Sequence, residues 1–243
     1  MPVVSAAVCP HPPLLVPEVA TGAAPELDDL RAACLAAIDA LSTAASVLVF
    51  GAAPAPPPAS TASPDARSGV ASTYPTAAGG SFGAYGAPGV RIGSGPAVLP
   101  LSLVMGGWLL DQTKAAQLPR TYLAVPIGAS PADCLQLGQE IAEGNDRIGL
   151  LVMGDGSARR SEHSPVHLHP RAEIFDTTVA NALQHRDLDV LRALDPDLAA
   201  ELHAAGRAPW QVLAGALERT ALTGDLTYHA APYGVGYFVA TFS

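Results

Sequence analysis

Apolar residues in this chain fall into short continuous runs bounded by glycine or proline, separated by stretches in which they recur every three or four positions. The runs predict buried strands at 3–8 (VVSAAV), 46–50 (SVLVF), 121–125 (TYLAV), 148–153 (IGLLVM) and 235–241 (VGYFVAT), with a weaker one near 97–101. The helical repeat is clearest over 25–42, where Pro25 suits the first turn, Glu26, Asp28 and Asp29 follow, and Leu27, Leu30, Cys34, Ile38 and Leu41 share a face. Over 130–144, Ser130 can cap, Pro131 fits the first helical position and Gly144 can close the end. Ala172, Phe175, Val179 and Leu183 stripe a further helix, Asp195-Pro196 opens one that ends at Gly206, and Trp210, Leu213 and Leu217 mark the last. This alternation predicts an α/β fold: one domain over 1–243, with a central mostly parallel sheet and helices on both faces.

One segment breaks the pattern. Residues 52–96 are rich in glycine, proline, alanine and serine, too poor in large apolar side chains to form a core, although Tyr74, Phe82 and Tyr85 could pin them to the body. A stretch of this length predicts a flap or a loosely held insertion.

Composition narrows the partners. At 243 residues with 49% hydrophobic content, the chain is long enough for a substantial core. The net charge is −9 and the longest basic run is the pair Arg159-Arg160, so neither nucleic acid nor an anionic membrane is an expected partner. Cys9, Cys34 and Cys134 are odd in number, far apart and set in apolar patterns, which predicts reduced core thiols and a cytoplasmic protein. The N-terminal apolar run lacks a basic flank and is interrupted by prolines, so no signal peptide or membrane span is expected there. A small-molecule ligand is the expected partner, and a homo-oligomer is compatible with the composition.

Candidate chemistry concentrates in LLVMGDGSARRSEHSPVHLHP, residues 150–170. Ser157 lacks the flanking glycines of a nucleophile elbow, GSGPAV at 93–98 lacks the third glycine of a dinucleotide fingerprint, and there is no P-loop, C-x-x-C or H-E-x-x-H. Asp155 can act on a substrate or cap a turn. Arg159 and Arg160 can form an anion pocket or pair with nearby acids such as Asp155 and Glu162. His163, His167 and His169 can be metal ligands, with His167 and His169 on one side of an extended segment, or solvated loop residues.

Longer segments carry a resemblance. AVCPHPPLLVPEV places His11 just past the first strand; VLVFGAAPA ends the second, VMGDGSARR a later one; AEIFDTTVANAL follows, and APYGVGYFVATF closes the chain. In this order they resemble the catalytic subunit-B fold of class III extradiol ring-cleaving dioxygenases, a superfamily that also contains the Memo-type proteins. The resemblance implies a ferrous iron held by two histidines and a glutamate, and a further histidine as acid-base. His11 matches the first ligand. Gly51, Ala52 and Ala53 stand where the second is expected, Ala158 where the acid-base histidine is expected, and only Glu201 and His203 lie near the third. The resemblance therefore implies a divergent member lacking most of the standard ligands, which binds a small aromatic or anionic molecule or performs altered chemistry, with His11, Asp155 and Ser157 as catalytic candidates and no metal. A second reading keeps a divalent metal, Fe(II) or Zn, in a site rebuilt from His11, His163, His167 and His169. A third makes the chain an interaction module that uses its Pro/Gly-rich loop. Whether it is an enzyme stays open in the sequence.

Overall fold

The computed structural model describes residues 3–54, 71–144 and 146–243. In chain order the elements are β1 (Val3–Cys9), α1 (Pro17–Ala20), α2 (Asp28–Asp39), β2 (Ser46–Ala53), β3 (Ser72–Tyr74), β4 (Gly80–Phe82), β5 (Ala87–Ile92), α3 (Leu101–Leu110), β6 (Arg120–Pro126), α4 (Pro131–Ala142), β7 (Ile148–Met153), α5 (Ala172–His185), α6 (Leu188–Arg192), α7 (Pro196–Glu201), α8 (Arg207–Leu217), β8 (Gly224–Ala230) and β9 (Tyr237–Phe242). The expected helix over 25–42 is α2 with 3-10 turns at both ends, Thr21–Leu27 and Ala40–Thr43. Ser130 caps α4 as its position predicts, accepting from the Asp133 amide at 3.1 Å.

Among the described residues the main sheet has seven strands in the order β3-β6-β2-β7-β1-β9-β8. The middle four, β6, β2, β7 and β1, run parallel. Both flanks are antiparallel: β3 to β6 on one side, β9 to β1 and β8 to β9 on the other. The sheet is thus mixed rather than mostly parallel. The cause at one flank is the short 231–236 connection, since a turn of that length joins only antiparallel neighbours.

Alternation along the central strands sends side chains to two cores, and helices cover both faces. Val8, Leu48, Phe50, Leu150 and Val152 pack against α4, α5 and α8 through Leu137, Phe175, Trp210 and Leu213. Cys9, Val49, Leu151 and Met153 pack against α2 and α3 through Leu30, Cys34, Ile38 and Leu103.

Further expectations change. The helix expected from Asp195-Pro196 to Gly206 ends at Glu201. The weak strand near 97–101 is the approach to α3, whose sequence LSLVMGGWLL is buried on nearly every side and so has no amphipathic stripe to betray it. Strand β8 was not expected. It lies at the sheet edge and alternates only between half-buried and exposed residues, a weak version of the strand signal. The segment 52–96 is not simply a flap: residues 55–70 lie outside the described residues, but β3 adds to the sheet edge, and β4 and β5 form a hairpin that buries Phe82 completely, edge-on to Trp108 with ring centroids 6.4 Å apart.

Candidate functional site

In a parallel sheet, the loops leaving the C-terminal strand ends converge on one edge, the usual place for a ligand cleft. Here β1, β2 and β7 end side by side, with Cys9 and Gly51 both level with Met153, and the loops beginning at Pro10, Pro54 and Gly154 leave from that edge. Cys9 also accepts a hydrogen bond from the Gly154 amide through its carbonyl, at 2.9 Å, which keeps two of these loops in register just past the strands.

That register brings together two of the sequence candidates. The His11 amide donates to Asp155 Oδ1 at 2.8 Å, and His11 Nδ1 lies 3.4 Å from the same oxygen. The ring nitrogen is not aligned for a hydrogen bond and is buried without a partner. Burial pushes the Asp155 carboxyl above its ordinary range, and the neighbouring imidazole and amide of His11 only partly oppose this. The pair is nearly closed to solvent, with side-chain exposures of 11% for His11 and 16% for Asp155. Tyr237 opens β9 beside the end of β1, and burial, then Asp155, Tyr228 and Tyr233, keep its phenol strongly protonated. Cys9 and Cys34 are buried free thiols on the same face of the sheet, the Cys34 thiol raised above its ordinary range chiefly by burial.

The end of β2, where the resemblance expects a second metal histidine, is filled. Ser102 of α3 donates from Oγ to the Ala52 carbonyl at 2.7 Å. A Cβ built at Gly51 would lie 2.8 Å from Ser102 Cβ and 2.9 Å from Met153 Cβ. The glycine is therefore what lets α3 sit directly on this strand end. Ala158, at the expected acid-base position, donates its amide to the Leu202 carbonyl and offers no titratable group.

Ser157, Arg159 and Arg160 are taken up by the fold's own hydrogen bonds. Ser157 is fully buried; its amide donates to Asp176 Oδ1 at 2.8 Å, and its hydroxyl donates to the Leu202 carbonyl at 3.3 Å and accepts the Arg159 amide at 3.1 Å. It pins the loop rather than facing the His11–Asp155 pair. Arg160 bonds Asp176 Oδ2 at 2.9 Å and reaches Glu173 at 3.7 Å, while Arg159 donates to the carbonyls of His167 and Glu201 at 2.8 and 2.9 Å. Neither guanidinium is left for an anion pocket in this arrangement; the acids that Arg160 finds are Asp176 and Glu173, not Asp155 or Glu162. His163 and His167 are exposed, and His169 Nε2 lies 2.9 Å from Glu201 Oε1, whose carboxylate also takes Arg171.

Sequence reasoning missed Asp176. Buried Gly156 and Gly236 approach it so closely that a Cβ on either would lie 2.6 or 2.1 Å from its carboxylate. Burial raises this carboxyl, against the Ser157 amide and Arg160, which hold it down. The one available signal was an acid directly beside Phe175 on the apolar stripe of α5.

An iron held as the resemblance implies does not fit these residues. One histidine is in place, a serine and a helix close the position of the second, alanine stands for the acid-base, and Glu201 is occupied by His169 and Arg171. Among the described residues, no three His, Cys, Asp or Glu side chains come together in a group that could hold a metal ion. His11 and the three later histidines form no such group.

Comparison with known proteins agrees with the fold and leaves the chemistry open. No family model matches the chain. Over 105 residues, 43% of its length, the chain is 28% identical to protein CA_C1420 of Clostridium acetobutylicum, of which it spans only 22%. The crystal structure of the uncharacterized protein JW3007 from Escherichia coli K12 superposes over 98% of this chain and 99% of that one, with a TM-score of 0.52 and 14% identity. At that identity the likeness speaks for the fold alone. Among the described residues, no helix is long and apolar enough to cross a membrane.

Proposed function

We propose that this chain is a divergent relative of the class III extradiol dioxygenases that binds a small aromatic molecule at the His11–Asp155 pair without the family's iron. The observation that carries this reading is His11 Nδ1, a buried polar atom that makes no hydrogen bond although it lies 3.4 Å from a desolvated carboxyl. Buried polar atoms in native proteins are nearly always satisfied, so an orphan at a strand-end cleft marks a place for a ligand hydroxyl. Asp155, raised by burial, can hold a proton that such a hydroxyl shares, and Tyr237 supplies aromatic surface nearby. The anionic alternative weakens because Arg159 and Arg160 are committed elsewhere. Altered chemistry at this pair would be proton transfer from the ligand's phenolic hydroxyl to His11 or an ionised Asp155, and back.

The test is thermal unfolding of the metal-free protein with catechol and, separately, benzoate. A ligand at about a hundred times its Kd adds about 2.7 kcal/mol to the stability of the form that binds it. Catechol is expected to raise the wild-type midpoint saturably and to leave His11→Ala unmoved. No shift in wild type, or an equal shift in both proteins, would remove the proposal; a shift with benzoate alone would move it to the anionic class.

A further inference from the structure

A pair as closed as His11 and Asp155 admits a ligand only if part of its surround moves, and the 231–236 connection beside the loop that carries Asp155 has one side firmly held and one side strained. It is tied to the loop that carries Asp155 by three backbone bonds: Gly236 N to Ser157 O at 2.9 Å, Gly156 N to Gly236 O at 2.7 Å and Arg160 N to Gly234 O at 3.0 Å. Gly234 has φ +73° and is held by Ser164, whose Oγ donates to its carbonyl at 2.9 Å; a Cβ there would lie 2.0 Å from the same oxygen. These contacts fix one side of the connection. Its other side is Tyr233, in the left-handed region at φ 57° and ψ 19°, where a bulky residue is strained. The residue is 37% exposed, and its side-chain hydrogen bond is from the phenol to Glu26 Oε2, at 2.6 Å, across 207 residues of sequence. Glu26 precedes α2, the helix that carries Cys34 and packs on the face of the sheet that holds Cys9. A strained, solvent-facing residue held in place by one distant carboxylate has the construction of a catch.

We propose that the Tyr233–Glu26 hydrogen bond is a latch that holds the 231–233 side of the connection closed beside the His11–Asp155 pair, and that ligand entry requires it to open. Gly234 is the hinge, and Tyr233 relaxes out of the left-handed conformation when its phenol leaves Glu26. This inference rests on the His11–Asp155 pair being the ligand site, but its test needs no ligand.

The experiment measures the rate at which diethyl pyrocarbonate modifies His11, read by peptide mass spectrometry, in wild type, Tyr233→Phe and Glu26→Ala. His185, exposed on α5, is the internal control. A hydrogen bond of ordinary net worth shifts a local opening equilibrium by about threefold to tenfold, and that acceleration at His11 is expected in both variants, with His185 unchanged. Unchanged His11 rates, or acceleration in only one variant, would overturn the latch, because breaking either partner must release it. Acceleration accompanied by faster amide exchange in β1 and β9 would show general loosening and would overturn it as well. Failure here leaves the catechol result untouched, and failure of catechol binding leaves these rates unchanged, so the two ideas fall separately.

Discussion

Asp155 is a carboxyl whose environment favours its protonated form, and this fixes the sign of its contribution to stability. Its folded value lies above the ordinary 3.8, so the favourable term is fully present below that value and is lost as pH rises through the raised one. Asp155→Asn still offers an oxygen to the His11 amide but cannot ionise. Urea melts of both proteins from about pH 4 to about pH 8 should show the variant gaining on wild type as pH rises, with the difference closing at the acid end. A difference that stayed flat with pH would contradict a desolvated Asp155. Asp176 behaves oppositely under mutation, because it is fully buried and paired with Arg160. Asp176→Ala strands the guanidinium and the Ser157 amide together and should cost about 3 kcal/mol in denaturant unfolding. At this scale the sequence placed His11 and Asp155 after strand ends, and the structure brings the two side by side. It did not disclose that Ser157, Arg159 and Arg160 bond to Asp176 and to loop carbonyls, because a run of polar residues in a loop does not show which way each side chain turns.

Among the elements, α3 decides what the cleft can hold. It seats Ser102 on the end of β2 against Gly51, and Gly51→Ala should drive the two apart at a cost of about 1 to 3 kcal/mol, read as a lowered urea midpoint. The β4–β5 hairpin supports α3 from the other side through the Phe82–Trp108 contact, so Phe82→Ala should cost about 3 to 5 kcal/mol in the same melts. Neither element was legible beforehand. A helix buried all round shows only a continuous apolar run, and a hairpin whose core contribution rests on Phe82, Ala87 and Ile92 is hidden by the glycine and alanine around it. The central strands were legible as continuous apolar runs, being buried on both faces, and the amphipathic helices α2, α4 and α5 because each exposes one face to water and records it in the repeat.

The whole molecule is a mixed sheet between two helical layers, with its candidate site where the parallel strands end and with little open space there. This architecture keeps one histidine in the place the resemblance gives it, and fills or empties the places of the others. The His11–Asp155 pair is proposed to bind its ligand without an iron. The most direct measurement is elemental analysis of protein purified anaerobically and offered Fe(II), Mn(II) and Zn(II), wild type beside His11→Ala, followed by a catechol assay under oxygen. The prediction is no metal at about one per chain that depends on His11, and no ring cleavage. About one metal per chain in wild type, lost in His11→Ala and accompanied by ring-cleaved product, would contradict it.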